Sequence, residues 1–258
     1  MATPLGSEYN FQGLKELVAR LRSADGCPWD QEQTHSSLRN ALLEECHEVL
    51  NALDAGDTGN LLEELGDLLV QVVFHCQIAE DLGEFDTSAM FRTIISKLIR
   101  RHPHVFGNTT AKHAREVEEN WEKIKATERS RNSSPLDSVP KSLPSLSFAH
   151  AISQRAARNG LRFPQQDEFS LINEITRRTE KEPTHTTSLG EVEFGTLLFK
   201  LIQMARGSGI DAESALRKTN SRFQNCFDSL TRDLKSSGRT VSDLSDAEHE
   251  NFWKQVLI

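Results

Sequence analysis

What this sequence lacks narrows it first. Its four cysteines, Cys27, Cys46, Cys76 and Cys226, form no CxxC pair, which removes a zinc knuckle and a disulfide framework and reads as reduced thiols. No apolar run approaches the roughly 18 residues of a membrane span. The opening "MATPLGSEYNFQGLKELVARL" has none of the basic-then-apolar order of a secretory signal, so the expectation is a soluble, cytoplasmic chain. Positive charge is in deficit: 30 Lys and Arg against 38 Asp and Glu leave a net charge of -8, which excludes stable nucleic-acid binding through bulk charge but not a local phosphate-holding patch. Strict alternation with β-branched residues is nearly missing as well. A sheet protein is thereby excluded.

What remains is helical periodicity almost throughout. The spacing predicts an all-α fold, with helices at about 10–24, 35–54, 59–82, 86–102 and 113–130, then 146–159, 167–181, 187–207, 211–235 and 245–257. Between the two sets lies "ERSRNSSPLDSVPKSLPSL", whose three prolines and many serines interrupt any helix. This divides the chain into a domain at 8–128, a linker at 129–145 and a second domain at 146–258. The halves repeat one another. "ELGDLLVQ" from Glu64 matches "EFGTLLFK" from Glu193 at an offset of 129, which also maps Glu45 onto Glu174; further on, at an offset of 125, Asp86 pairs with Asp211 and Arg92 with Arg217.

In the first half, "LLEECHEVLNALDAGDTGNLLEELGDLLVQ" (42–71) gathers acidic residues on two helical arms. Leu42, Cys46, Val49, Leu50 and Leu53 form an apolar stripe expected to face a core, with Glu45 and Glu48 on its flank; Leu61, Leu65, Leu68, Leu69 and Val72 repeat the design with Glu64 and Asp67. Gly56 lies near the middle of the turn, so an antiparallel hairpin brings the two pairs level. Like charges three apart repel by tenths of a kcal/mol. Four carboxylates that stay ionised together call for a cation, and an all-oxygen set suits Mg²⁺ or Mn²⁺. The bland alternative is a solvated acidic face, which is the reading for Glu44 and Glu63. Glu44 and His47 also make an ExxH spacing of di-iron type, but position 66, where a partner would be sought, is glycine. Downstream, Lys97, Arg100 and Arg101 end a helix that Pro103 should stop; they are either dipole partners or the cationic side of a polyphosphate site. His102 and His104 read equally as packing residues or ligands. Trp29, in a turn-like setting, is either a base-stacking aromatic or a core anchor.

"GCPWDQEQTHSSL", "LEECHEV", "EELGDLLVQVVFH", "GEFD" and "KLIRRHPHVFG", in that order, resemble the N-terminal repeat of MazG nucleoside triphosphate pyrophosphohydrolases, and "LDSVPKSLPSL" continues the likeness over nearly the whole chain. The resemblance implies tandem helical repeats that build four-helix-bundle-type cores in a homodimer. It implies Mg²⁺ held by Glu45, Glu48, Glu64 and Asp67, and cleavage of an NTP to NMP and pyrophosphate as house-cleaning of nucleotide pools. Glu48 or Glu45 would then take the proton from water, with Trp29, Lys97, Arg100 and Arg101 binding substrate. A non-catalytic nucleotide-binding dimer is the alternative. In the second half the pattern fails: ExxE becomes Glu174 and Arg177, and ExxD becomes Glu193 and Thr196. Arg222, Asn225 and Cys226 replace the basic triplet. That repeat is expected to be structural.

Overall fold

The computed structural model describes residues 9–128, 134–163 and 190–257, and every regular element among them is helical. The chain divides into two compact units, Met1–Lys125 and Ala126–Ile258. In the first, α1 (Phe11–Arg22) and the short α2 (Pro28–Glu32) precede the hairpin of α3 (Arg39–Ala55) and α4 (Thr58–Asp81). After these come α5 (Thr87–Arg101), a single turn α6 (Pro103–Phe106) and α7 (Ala114–Thr127), in whose last turn the division falls. The second unit contains α8 (Ser145–Arg158), α9 (Glu191–Gly207), α10 (Ala212–Ser236), a 3₁₀ turn (Val241–Asp243) and α11 (Asp246–Leu257).

The hairpin turn follows from two residues. Gly56 takes φ 67°, and its N–H bonds Leu53 O while that of Asp57 bonds Ala52 O, closing α3 with a Schellman pattern. Asp57 then caps α4 by accepting from the N–H groups of Gly59 and Asn60. The duplication is legible in the caps as well. Asp86 accepts from Ala89 N at the start of α5, and Asp211 from Ser214 N at the start of α10.

The core of the first unit is Val18, Leu38, Val73, Phe74 and Ile78, packed against Phe11, Leu14, Leu21 and Val70. It therefore joins α1, the entry to α3 and the later half of α4. The apolar stripes expected to face a core do so only in part: Leu42, Cys46, Val49, Leu50, Leu61 and Leu68 are half-buried, whereas Leu53, Leu65, Leu69 and Val72 are exposed, as are Leu43 and Leu62. Periodicity marks which face is apolar; it says nothing of what lies against it. Arg22 adds a polar tie, with Nε donating to Asp81 Oδ2 at 2.8 Å and Nη1 to the carbonyls of Asp30 and Gln33 at 2.6 and 3.1 Å. One guanidinium thus fastens α2 to α1 and α4.

In the second unit Ile202, Leu234, Val256 and Val139 are buried, the last from the proline-rich stretch itself. Phe223, Phe227, Phe252 and Trp253 form an aromatic cluster between α10 and α11. Glu213 accepts from the N–H and hydroxyl of Ser147, and Arg239 makes a two-pronged pair with Glu248, both bonds 3.0 Å.

Some boundaries differ from the sequence reading. The helix expected from 35 begins at Arg39, because Thr34 and Ser37 bond each other's backbone N–H and hold a turn there. Pro103 does end α5, but it also opens α6, its fixed φ suiting the first helical position. Trp29 lies on the one-turn α2 that Pro28 starts in the same way, not in a loop. The helix expected at 167–181 lies outside the described residues.

Candidate active site

The hairpin delivers Glu45 and Glu48 from α3 and Glu64 from α4 to one place. One carboxylate oxygen from each lies within 4.8 Å of the others, an arrangement that could hold a metal ion. Asp67, one turn beyond Glu64, is not one of the converging three, but its charge acts on Glu45 and Glu64. Desolvation first, then repulsion from Glu48 and Asp67, raises the Glu45 carboxyl above its ordinary value. Glu64 is raised for the same reasons, desolvation leading, with Glu48, Glu63 and Asp67 adding repulsion. Such a cluster is held together by the fold against its own charge. All three donors are hard oxygens at hairpin positions that the packing fixes, so the set fits a hard divalent cation, which would remove the repulsion. Glu44 and His47 are both exposed and outside the cluster, and Glu63 is exposed. Among the described residues the di-iron spacing therefore gathers no site.

Lys97, Arg100 and Arg101 occupy the last turns of α5, where positions three and four apart share a face. Arg101 is laid over the Trp121 ring of α7, 5.3 Å from its centre. His102 caps α5, its Nδ1 2.6 Å from Leu98 O, and meets Trp121 edge-on with centroids 5.0 Å apart. It is therefore a packing residue. Trp29 is 63% exposed, available rather than anchored. Sequence reasoning passed over Arg22, which holds the helix bearing Trp29, and Trp121, which seats Arg101. A lone aromatic in the charged stretch "VEENWEKIK" was the signal for Trp121; Arg22 carried none.

In the second unit the residues at the equivalent positions do other work. Glu193 accepts from the Gly190 N–H at 2.9 Å, closing the start of α9, and Thr196 bonds back to Val192 O. Arg222 reaches Val256 O at 3.4 Å. Glu174 and Arg177 lie outside the described residues.

An all-helical chain whose α3–α4 hairpin brings three carboxylates to one place belongs to the class of helical proteins with an acidic cluster between two antiparallel arms. Residues 33–106 match the MazG nucleotide pyrophosphohydrolase domain. The chain is 37% identical over 249 residues to the nucleoside triphosphate pyrophosphohydrolase/pyrophosphatase MazG of Thermotoga maritima, covering 95% of each. To the nucleoside triphosphate pyrophosphohydrolase of Escherichia coli K12 it is 38% identical over 251 residues, covering 94% of this chain and 95% of that one. It is also 37% identical to the uncharacterized protein YabN of Bacillus subtilis, of which it spans 52%. The crystal structure of a mazG-related protein from Thermotoga maritima aligns with 45% of the chain and 98% of its own, at 28% identity and a TM-score of 0.40. The chain belongs to the MazG nucleotide pyrophosphohydrolase family.

Proposed function

We propose that the chain hydrolyses nucleoside triphosphates to the monophosphate and pyrophosphate, with its first unit as the catalyst. The observation that carries this reading is the convergence of Glu45, Glu48 and Glu64 within the segment that matches the family domain. Glu45, Glu48 and Glu64, with Asp67 beside them, would hold Mg²⁺ or Mn²⁺. When bound, such an ion supplies charge neutralisation on phosphate oxygens and makes water a better acid. The protein's own groups do the rest. Glu45 or Glu48 takes the proton from the water whose oxygen attacks the α-phosphorus, and the bond from that phosphorus to the bridging oxygen breaks. Lys97, Arg100 and Arg101 hold the departing pyrophosphate, whose charge grows as it leaves. Trp29 offers a ring face to the base. The role is removal of unwanted nucleotides in the cytoplasm, and the working form is a homodimer.

The test is pyrophosphate release over a panel of nucleoside triphosphates with Mg²⁺, for the native chain and Glu48→Gln. Turnover should fall by about two orders of magnitude in the variant, since loss of one preorganised charged group costs several kcal/mol. Orthophosphate as the first product, or full activity in excess chelator, contradicts the mechanism. Nucleotide binding without any turnover would instead make the chain a regulatory nucleotide-binding dimer.

A further inference from the structure

His35, in the turn between α2 and α3, meets His75 of α4 with the two Nδ1 atoms 2.7 Å apart and the ring planes 7° from parallel. That separation is below the roughly 3.5 Å of face-to-face contact, so the rings meet edge to edge and share one proton. Their outer nitrogens differ. His35 Nε2 faces Glu84 Oε2 at 3.9 Å, whereas His75 Nε2 is buried with no partner.

These contacts fix where the protons sit. Two neutral imidazoles bring two protons to four ring nitrogens. One belongs on His35 Nε2, opposite the carboxylate, and the other on His75 Nδ1, which donates to His35 Nδ1. His75 Nε2 is then a bare lone pair, the least costly group to leave buried and alone. A third proton has no acceptable place. On His35 Nδ1 it would oppose the N–H of His75 across 2.7 Å; on His75 Nε2 it would be a buried donor with no acceptor in bonding position, since the Oε1 of Gln71, itself buried without a partner, does not reach it. Desolvation, followed by His35, accordingly lowers the His75 pKa. Charged side chains on α1 and α4 are paired with one another, Lys15 with Glu80 and Arg22 with Asp81, and Asp30 of α2 is buried. Gln71, one turn before His75 on the same face of α4, is uncharged.

We propose that His35 and His75 form an acid-released latch that fixes the α2–α3 turn to α4, and so are positioning residues for the carboxylate site. The turn they fix is the entry to α3, the helix that carries Glu45 and Glu48, and α3 has no side-chain cap of its own. Acid works against the latch, because the parted rings take up a proton for which the paired rings have no place. Arg22 keeps its hold on Asp30 and Gln33, so the release is local to residues 34–38. Its kinetic consequence, a fall in kcat/KM for the nucleotide, rests on the function proposed above. The latch itself does not.

The experiment therefore begins without substrate. ¹⁵N-edited NMR of the full chain near neutral pH should show His75 protonated on Nδ1 and bare on Nε2, with His35 the opposite tautomer. As pH is lowered below the ordinary imidazole range, the amides of Thr34, Ser37 and Leu38 should exchange about tenfold faster per pH unit beyond the ordinary pH dependence of exchange, as one-proton linkage requires, and where the pair parts both rings should change together. His75→Asn keeps an amide in place of Nδ1–H that can also turn to accept, so it should hold those amides protected at the lower pH. The part of the acid loss of kcat/KM that the latch causes should disappear with it. A protonated His75 Nε2 at neutral pH, or rings that titrate independently while the amides stay protected, overturns the latch. A latch seen by NMR in a chain that releases no pyrophosphate sustains this inference and removes the functional one.

Discussion

At the scale of single residues, the site residues are set against stability. Glu45 and Glu64 have raised pKa values in the folded chain, so folding favours their protonated forms. Stability from this source is present below the ordinary carboxylate pKa of about 4.3 and is lost as pH rises through the raised values. Without metal, Glu45→Gln should therefore melt at a higher temperature than the native chain at neutral pH, with the difference vanishing near pH 4. The same variant should lose most of the stabilisation that Mg²⁺ gives the native chain. Calorimetry with and without metal at the two pH values measures both; a variant less stable than the native chain at neutral pH would mean that burial, not charge, dominates at Glu45. Glu193, its sequence aligned with Glu64, should behave in the opposite way. Glu193→Gln weakens the bond to the Gly190 N–H that starts α9, costing up to about 1 kcal/mol as other helix-start contacts do. Turnover should be unchanged, which parallel melts and pyrophosphate assays will show.

At the scale of elements, the α3–α4 turn sets the level at which the two acidic arms meet. Gly56 has φ 67°, and a Cβ there would meet nothing within 4 Å, so Gly56→Ala incurs backbone strain alone, about 1–2 kcal/mol. Gly56→Asn should cost less, because asparagine tolerates the left-handed region. Denaturant midpoints of the two variants order them. A reversed order would show that the turn is not held in that conformation. The elements were legible where a 3.6-residue period and a cap coincided, as in α4 after Asp57 or α10 after Asp211. The short helices α2 and α6 were not, because a single turn shows no period and a proline reads as a breaker before it reads as a first residue.

At the scale of the whole molecule, the described residues of the first unit leave apolar side chains of α3 and α4 exposed. Leu62 and Leu65 are 77% and 50% exposed on the arm that carries Glu64. Covering them with a second copy would remove that surface from water and stiffen the hairpin that holds the carboxylates. Leu65→Glu should then convert a dimer to a species near the 29.0 kDa chain mass, with its helix content kept, because Leu65 is already half exposed within one chain. Light scattering with circular dichroism reads both. A native chain that is monomeric and active at micromolar concentration would contradict the dimer.

The sequence by itself determined the all-helical class, the hairpin, the acidic flanks and the likeness between the halves, because each depends on spacing along one chain and helix geometry turns spacing into faces. Only the tertiary structure decided which of the four acidic positions converge, since that depends on how two helices pack, and it put Glu45, Glu48 and Glu64 together with Asp67 alongside. It also decided that Glu193, aligned with Glu64, serves as a helix cap, and that the apolar stripe of α3 and α4 stays partly uncovered within one unit. The meeting of His35 with His75, 40 positions apart, belongs to the same kind of fact. A pairing across that separation follows from how α4 lies against the entry to α3, and no local pattern encodes it.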